Sequence, residues 1–375
     1  MQQINVNKGE RETVKEMDIV FPLLKWYSQS ARTLPWRERP EPYNVWISEI
    51  MLQQTRVEAV KPYFERFLKE FPNIGELARA EEDRLLKAWE GLGYYNRVKN
   101  MQKAAVLVME QYGGKLPEEY EELLKLPGIG PYTAGAISSI AYGKVHPAVD
   151  GNVLRVMTRL LADDRNILSQ KVKNDIGNML YKIMPKDKPG DFNQALMELG
   201  ATVCLPNKEP LCGQCPWSLF CKAKEEEAQS EYPKRAEKKS KKIEKMTVLI
   251  IRDGEKIVLR KRPGEGLLAG MYEFPNLEGH RKKEEALLFV KEIGMSPVRI
   301  QELEGAKHIF SHKEWQMIGY MIRVEELGVE EQEGLIFAHS KEMEERYPIP
   351  TAFGAYTKYM KIRLGNEKYE QKEIE

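Results

Sequence analysis

The chain has almost no net charge: 58 Lys and Arg stand against 57 Asp and Glu, a formal +1. A general polyelectrolyte footprint is therefore missing, and binding to nucleic acid has to be argued from local sites. Long apolar runs are missing as well. No stretch approaches the ~20 residues that a helix needs to span a bilayer, so no membrane partner is expected. The opening MQQINVNKGERETVKEM lacks a secretory-type apolar core, which makes the cytosol the expected compartment. Cysteine is scarce and confined: all four lie between Cys204 and Cys221. In a reducing compartment that crowding points to a metal or cluster and away from disulfides. No solenoid-type repeat is evident. At 375 residues and 42% hydrophobic content, two or three packed domains are expected.

What is present is concentrated in LPGIGPYTAGAISSIAYGKVHPAVDGNV, residues 126–153. Pro127-Gly128-Ile129-Gly130 offers two glycines for the positive-φ turn that other residues avoid, and Pro131 suits the first position of a following helix. This is a helix-hairpin-helix signal. With no side chain on Gly128 or Gly130 to block approach, the free amides at the helix start form a seat for a backbone phosphate. Asp150-Gly151-Asn152 then opens another apolar-periodic helix (Val153, Val156, Met157, Leu160, Leu161), placing the Asp150 carboxylate at a helix N-terminus. Spacing alone leaves two readings of Asp150 open, a plain N-cap and a carboxylate stationed for chemistry.

From Asp18 to Ala201 apolar residues recur at helical spacing, broken by Pro and Gly, so residues 1–221 are expected to form an all-α domain. Asn44 is the expected N-cap of a helix running through VWISEIMLQQTRVEAV, with Trp46, Glu49, Gln53 and Arg56 on one polar, partly aromatic face. Further helices are expected near 60–71, 82–90, 171–183 and 190–203. Between them, Gly91-Leu92-Gly93-Tyr94-Tyr95 is a glycine-flanked break whose apolar side chains either wedge into a base stack or pack on the core. Residues 222–245 mix Lys and Glu with little apolar content and read as a solvated, mobile linker. From Met246 short strands take over (MTVLIIR, KIVLRKR, MYEFP, KHIFSHKEWQMIGYMIRVE), with helices near 282–293 and 352–363. The second domain, 246–365, is therefore α+β, with 366–375 as a disordered tail.

Cys204, Cys212, Cys215 and Cys221 give C-x7-C-x2-C-x5-C. Four thiolates so close can wrap one centre, zinc or a [4Fe-4S] cluster. The spacing favours the cluster, because zinc ribbons usually bring two CxxC pairs and only one is present. Two carboxylates invite a second chemistry. Cleaving an N-glycosidic bond requires a proton for the leaving base and an anion beside an oxocarbenium-like sugar. Asp150 at a helix N-terminus suits the anion. Glu49 suits the neutral acid if it is enclosed beside Trp36 and Trp46, since desolvation raises a carboxyl pKa. The alternative for Glu49 is a solvated helix residue near Arg56.

The segments LPWR (34–37), SEIMLQQTRV (48–57), WEGLGYY (89–95), LPGIGPYTAGAI (126–137) and AVDGNVLRV (148–156), with the cysteine cluster, resemble the helix-hairpin-helix glycosylases, specifically the MutY-type adenine DNA glycosylases. The resemblance implies a multi-domain protein. An all-α helix-hairpin-helix glycosylase domain with a [4Fe-4S] cluster loop would be linked to an α+β Nudix-like domain. It implies excision of adenine mispaired with 8-oxoguanine, or with guanine, from double-stranded DNA by a bacterial-type, nucleoid-associated monomer. Glu49 would protonate adenine and activate water, Asp150 would stabilise the sugar cation, and Asn152 would orient Asp150 or the water. Arg32, Trp36 and Leu52 would line the pocket for the flipped adenine, with Gln194 as a supporting donor. Gln54, Thr55, Leu92 and Tyr94 would meet the opposite 8-oxoguanine. Gly128 and Gly130 would grip the DNA backbone, and a cation held by the hairpin carbonyls is left open. Endonuclease III relatives carry a Schiff-base lysine after the hairpin's Gly-Pro, where Tyr132 stands here, so the resemblance is to the monofunctional enzyme, in which Tyr132 would support Asp150 or the sugar intermediate. The first cysteine gap is one residue longer than the family's usual six.

The C-terminal part resembles the Nudix-like domain of the same family. A hydrolytic Nudix helix needs a Glu-rich signature to hold Mg²⁺, and KKEEALLFVKEIGM lacks it, so lesion recognition is implied instead. Within Phe310-Ser311-His312, Ser311 and His312 would read 8-oxoguanine.

Overall fold

The computed structural model describes residues 16–236, 240–327 and 334–369. Its helices are α1 (Glu16–Ser30), α2 (Pro35–Glu38), α3 (Pro42–Leu52), α4 (Val57–Glu70), α5 (Ile74–Ala78), α6 (Glu82–Ala88) and α7 (Asn96–Gln111). They continue as α8 (Tyr120–Leu123), α9 (Pro131–Ala136), α10 (Gly151–Leu161), α11 (Gln170–Ile183), α12 (Pro189–Thr202) and α13 (Lys222–Glu225). Strands β1 (Lys242–Asp253), β2 (Lys256–Lys261), β3 (Tyr272–Glu273) and β4 (Asn276–Glu278) precede α14 (Lys283–Glu292). Strands β5 (Pro297–Ile309), β6 (Lys313–Val324) and β7 (Leu335–His339), then α15 (Ser340–Arg346) and α16 (Gly354–Thr357), complete the described chain. Among the described residues no helix is long and apolar enough to cross a membrane.

The chain divides into two compact units, and the division cuts through the helical half. One unit takes the described residues up to Gln54 and from Leu107 to the end of the helical region; the other takes Thr55–Val106 together with the described residues after 239.

In the first unit, α1, α10, α11 and α12 share a core in which Leu23, Met157, Leu180, Phe192 and Leu199 are fully buried. Helix α10 is buried on every side from Val153 to Leu160, so a neighbour must come very close, and Gly200 on α12 permits it. A Cβ at Gly200 would lie 2.7 Å from the Cβ of Asn152.

In the second unit the sheet runs β3-β2-β1-β6-β5, with β4 on β1 and β7 on β2. Strand β1 pairs in parallel with β6 from Lys242↔Lys313 to Arg252↔Arg323. Alternate residues of β1 feed two cores: Val248 and Ile250 meet Phe353 and Tyr356 on one face, while Leu249 and Ile251 meet Ala286 and Val290 of α14 on the other. Burial on both faces explains the unbroken apolar run of MTVLIIR.

Several local expectations are corrected. Glu41, not Asn44, caps α3, because Pro42 occupies the first helical position; Asn44 lies inside, its Nδ2 donating to Arg39 O at 3.1 Å. That helix stops at Leu52, and Gln54 adopts φ 60 before α4 begins at Val57. No Pro or Gly marks the break, so periodicity alone runs straight through it. The expected polar face is also absent, since Val45 to Met51 are buried without interruption. The charged stretch after Lys222 is largely ordered. Ala223 is buried, Tyr232 O accepts from Arg159 Nε at 3.1 Å, Lys234 O accepts from Ile167 N at 3.2 Å, and β1 already starts at Lys242. Its backbone is tied down while its charged side chains remain in water. The expected tail is ordered as far as Tyr369, over which the Arg66 guanidinium lies at 4.0 Å; residues 370–375 lie outside the described residues, as do 1–15 of the expected first domain.

Replacing Gly200 by Ala would force a methyl group against Asn152, so G200A is expected to lose roughly 1–3 kcal/mol of stability, the usual cost of overpacking. Gly177 on α11 meets only Val149 Cγ2, at 3.9 Å, and G177A is expected to be neutral or stabilising by up to about 1 kcal/mol. Thermal denaturation of the two variants side by side checks both signs.

Candidate active site

Three elements converge on a pair of carboxylates. Helix α3 carries Glu49, which is 5% exposed. The hairpin places Tyr132 at the second position of α9, and its hydroxyl donates a short hydrogen bond to Glu49 Oε2. Asp150 caps α10: Val153 N–H donates to Oδ1 at 2.7 Å and Asn152 Nδ2 to Oδ2 at 2.8 Å. The segment leading to Asp150 is held from behind by buried Asn193, whose Nδ2 donates to Ser139 Oγ at 2.7 Å and His146 O at 2.8 Å. Its Oδ1 accepts from Ala148 N at 3.0 Å. Gly135 allows this segment to cross α9, because a Cβ there would stand 2.4 Å from Pro147 O. A π-helical turn, Ile137–Ala141, follows α9 directly.

Burial sets the electrostatics. Desolvation above all, aided by the nearby Asp150 charge and opposed by the Tyr132 hydroxyl and the Arg37 charge, leaves the Glu49 carboxyl pushed up to about 7. The Tyr132 phenol is raised well above its ordinary value by burial and by both carboxylates, so it stays a neutral donor. Asp150 is raised too, which differs from the simple expectation for a helix N-terminus. Its loss of water outweighs the Val153 amide, the Asn152 donors and the Arg155 charge, all of which favour the anion. The two acids nonetheless stay distinct, with Asp150 surrounded by donors and Glu49 receiving one, from Tyr132.

Around the pair lies a cationic frame. The carboxylate of Glu198 on α12 has no exposed surface and receives Arg32 Nε at 2.6 Å and Arg37 Nη2 at 2.8 Å. Burial alone would raise Glu198, but the two guanidiniums hold its carboxyl below the ordinary value. Arg32 thus stands in a buried ion-pair network rather than alone. Trp36 is 7% exposed on α2. Leu52 and Gln194 are half-buried on α3 and α12 and bond to neither carboxylate. Gln194's neighbour Asn193 makes the three hydrogen bonds described above. Sequence reasoning missed Glu198, Arg37, Asn193 and Arg155. The signal for Glu198 and Asn193 was a polar residue set among Phe192, Ala195, Leu196 and Leu199, where a helix of this pattern is buried.

Asn152 Oδ1 accepts from Arg155 Nη2 at 3.0 Å, and Arg155 continues to Gly200 O at 2.7 Å and Cys204 O at 2.9 Å. The cysteine loop is therefore bonded to the side chain that holds Asp150. Cys204, Cys212, Cys215 and Cys221 line one cavity of about 30 Å³ together with Arg159, Leu160 and Trp217. Among the described residues no group of three or more Cys, His, Asp or Glu side chains is set to hold a single ion. Arg159 Nη1 donates to Cys204 Sγ at 3.3 Å.

At the hairpin only Gly128 takes a positive φ, 79. Gly130 is extended and serves as the N-cap of α9, and a Cβ there would meet nothing within 4 Å, which leaves the amide side open. Gln54 is exposed at the turn after α3, and Gln53 Nε2 reaches Thr133 Oγ1 at 3.5 Å. In the second unit, Thr55 is half-buried, Leu92 is 6% exposed and Tyr94 is 47% exposed at φ 48, so Leu92 packs inward and Tyr94 projects. Ser311 and His312 are both exposed on the β5–β6 hairpin, with Oγ and Nδ1 3.3 Å apart. Phe310 beneath them packs edge-on against Trp315, centroids 4.8 Å apart.

A glycine hairpin opening a helix, a buried and a half-buried carboxylate on neighbouring elements and a cysteine-lined loop are the features of a base-excision DNA glycosylase. Residues 47–181 match the HhH-GPD superfamily of base excision DNA repair proteins and residues 246–359 match the NUDIX domain. The adenine DNA glycosylase of Buchnera aphidicola subsp. Acyrthosiphon pisum is 36% identical over 291 residues, covering 77% of this chain and 82% of that protein. That of Mus musculus is 35% identical over 348 residues, covering 77% of this chain and 67% of the relative. Among solved structures, a thermostable thymine-DNA glycosylase superposes with a TM-score of 0.51 at 28% identity, covering 56% of this chain and 97% of the other. The chain belongs to the adenine DNA glycosylase family, with a helix-hairpin-helix glycosylase region followed by a Nudix-like domain.

With Glu49 protonated below about 7, activity that depends on its proton falls as pH rises through that value. The same raised pKa makes its contribution to stability complete below the ordinary Glu range and lost as pH rises through about 7. Glu49→Gln is expected to lower single-turnover base release by at least ~10²-fold and to abolish this alkaline limb. Tyr132→Phe removes the donor that favours charged Glu49, so its alkaline limb is expected to move to higher pH. Single-turnover pH profiles of the three proteins check both statements.

Proposed function

We propose that the chain is a monofunctional glycosylase that hydrolyses the N-glycosidic bond of adenine paired with 8-oxoguanine, and more slowly that of adenine paired with guanine, after flipping the adenine out of the duplex. The observation that carries this reading is Tyr132 bonded to buried Glu49, with Asp150 close enough to raise its pKa. Glu49 gives its proton to the departing adenine as the C–N bond breaks and its electron pair leaves with the base. Asp150 stabilises the resulting sugar cation, held in place by Asn152. Water then adds to the sugar and returns a proton to Glu49. The phenol of Tyr132 offers no amine for a Schiff base, so strand cleavage has no nucleophile at this position.

Arg32 and Trp36, with Leu52 and Gln194, form the adenine pocket in this reading, and the Glu198 ion pairs fix its cationic edge. Gln54, Thr55 and Tyr94 face the opposite base in this reading, with Leu92 packed inward behind them, and exposed Ser311 and His312 sense 8-oxoguanine. Gly128 and Gly130 present amides to a backbone phosphate, where a hairpin cation also fits the family pattern. Cys204, Cys212, Cys215 and Cys221 hold a [4Fe-4S] cluster, which braces the loop bonded through Arg155 to Asn152. The partner is mispaired double-stranded DNA, met by a monomer in the cytosol.

A duplex with one 8-oxoguanine:adenine pair tests the reading. Alkali is expected to reveal one abasic site at the adenine, with intact strands before alkali and no borohydride-trapped protein. A trapped covalent adduct would refute the monofunctional assignment, and equal rates on 8-oxoguanine:adenine and guanine:adenine would refute the lesion preference. Iron and acid-labile sulfide in the cluster ratio are expected in the purified protein and should be lost in Cys215→Ser.

A further inference from the structure

Glu90 has no part in the chemistry above, yet it is a carboxylate only 1% exposed. Burying such a group is costly unless its oxygens are fully bonded. Here four donors meet it, drawn from distant parts of the chain. Lys87 Nζ and Ile349 N–H each donate to Oε1 at 2.9 Å. Gly365 N–H donates to Oε2 at 3.3 Å, and the Lys368 ammonium pairs with the same oxygen. Lys87 is fastened further, to Met343 O at 3.1 Å and Tyr347 O at 2.8 Å. The backbone repeats the grip. Tyr63 OH donates to Glu90 O at 2.6 Å, and a Cβ on Gly91 or Gly365 would fall 3.0–3.1 Å from the other's Cα. Both glycines have positive φ, 100 and 58, so this backbone contact admits few other residues.

The turn that follows Glu90 is internally stiff. Trp89 Nε1 donates to Gly93 O at 3.1 Å, and Arg97 Nη2 reaches Leu92 O at 3.1 Å and Gly93 O at 3.0 Å. Whatever holds Glu90 therefore sets where Tyr94 points. The same bonds reach Ile349 and Gly365, which flank the core segment carrying Phe353 and Tyr356 beneath the sheet.

We propose that Glu90 is a positioning residue that clamps the turn bearing Leu92 and Tyr94 to residues 349–368 of the Nudix-like domain, so that the turn and that domain meet DNA as one body. The inference rests on the reading of Tyr94, Ser311 and His312 as lesion contacts. Unstacking a base step costs free energy, and a wedge already fixed relative to the sensing hairpin loses less freedom on binding than one on an independent loop. Four donors on one buried carboxylate exceed what capping a helix end requires. They also join segments that the sequence separates by more than 250 residues.

Hydrogen–deuterium exchange on the full-length chain without DNA, with wild type, Glu90→Gln and Lys368→Met, tests the clamp directly. In both variants exchange is expected to rise at least fivefold in residues 91–95 and in 347–350, with α10 unchanged. The ratio of single-turnover rates on 8-oxoguanine:adenine and guanine:adenine duplexes is expected to fall at least threefold. Wild-type exchange in either segment would overturn the clamp, and raised exchange with an unchanged ratio would overturn the positioning role. If Glu90→Gln does not fold, Lys368→Met, which removes one donor of four, carries the test. A Ser311→Ala, His312→Ala double variant reports on the underlying reading. If it keeps the wild-type ratio, the lesion assignment is what failed, and exchange alone decides the clamp.

Discussion

Removing Glu49 from water is the constraint on which the rest of the site depends. In a helix buried for seven consecutive residues its carboxyl is raised to about 7, so a large share of it keeps its proton near neutral pH, where an ordinary glutamate is charged. Everything around it keeps that state available without making it permanent. Tyr132 donates to the charged form, Arg37 favours it, and Asp150 opposes it. The carboxyl is thus poised near its working range, with no group able to neutralise it outright. Asp150 is half-buried and is met by a backbone amide and an asparagine amide, so the two carboxylates stand in different surroundings.

Such a pocket requires its walls to be polar and satisfied at once. Glu198 resolves this on one side by binding two arginines, an arrangement in which each buried charge is compensated and the guanidinium planes are fixed. Asn193 does so on another, with three hydrogen bonds that tie α12 to the segment entering Asp150. Arg155 carries the frame outward to the cysteine loop. The loop is therefore bonded, through Arg155 and Asn152, to the side chain of Asp150. Close backbone approach at Gly135 and Gly200 makes this compactness possible.

In the second unit β1 and β2 are buried on both faces, and the β5–β6 hairpin projects Ser311 and His312 from a base where Phe310 and Trp315 pack. The charged start of β1 serves this base. Glu244 receives Lys313 Nζ at 2.9 Å and Trp315 Nε1 at 3.1 Å, and the Lys313 bond above all holds its carboxyl down at about 2. A stretch whose composition reads as solvated connector thus ends as a structural strand.

By itself the sequence determined the class. The hairpin glycines and proline, the Asp150 cap, the cysteine spacing and the alternating strands each act over a few neighbouring residues, and such patterns survive in one dimension. Tertiary structure decided what these features face. Nothing within a few residues of Glu49 says that it is buried or that Tyr132, far along the chain, will bond to it; both follow from which helices pack together. The break after Leu52 was invisible because a polar residue at positive φ carries no Pro or Gly flag. For Glu198 and Asn193 the apolar neighbours on α12 signal burial but not the partners, and the partners of Glu90 are likewise set only by the fold. A buried polar group is defined by partners that only the folded chain brings within hydrogen-bond distance, and the free energy of satisfying it resides in those contacts, not in the local sequence.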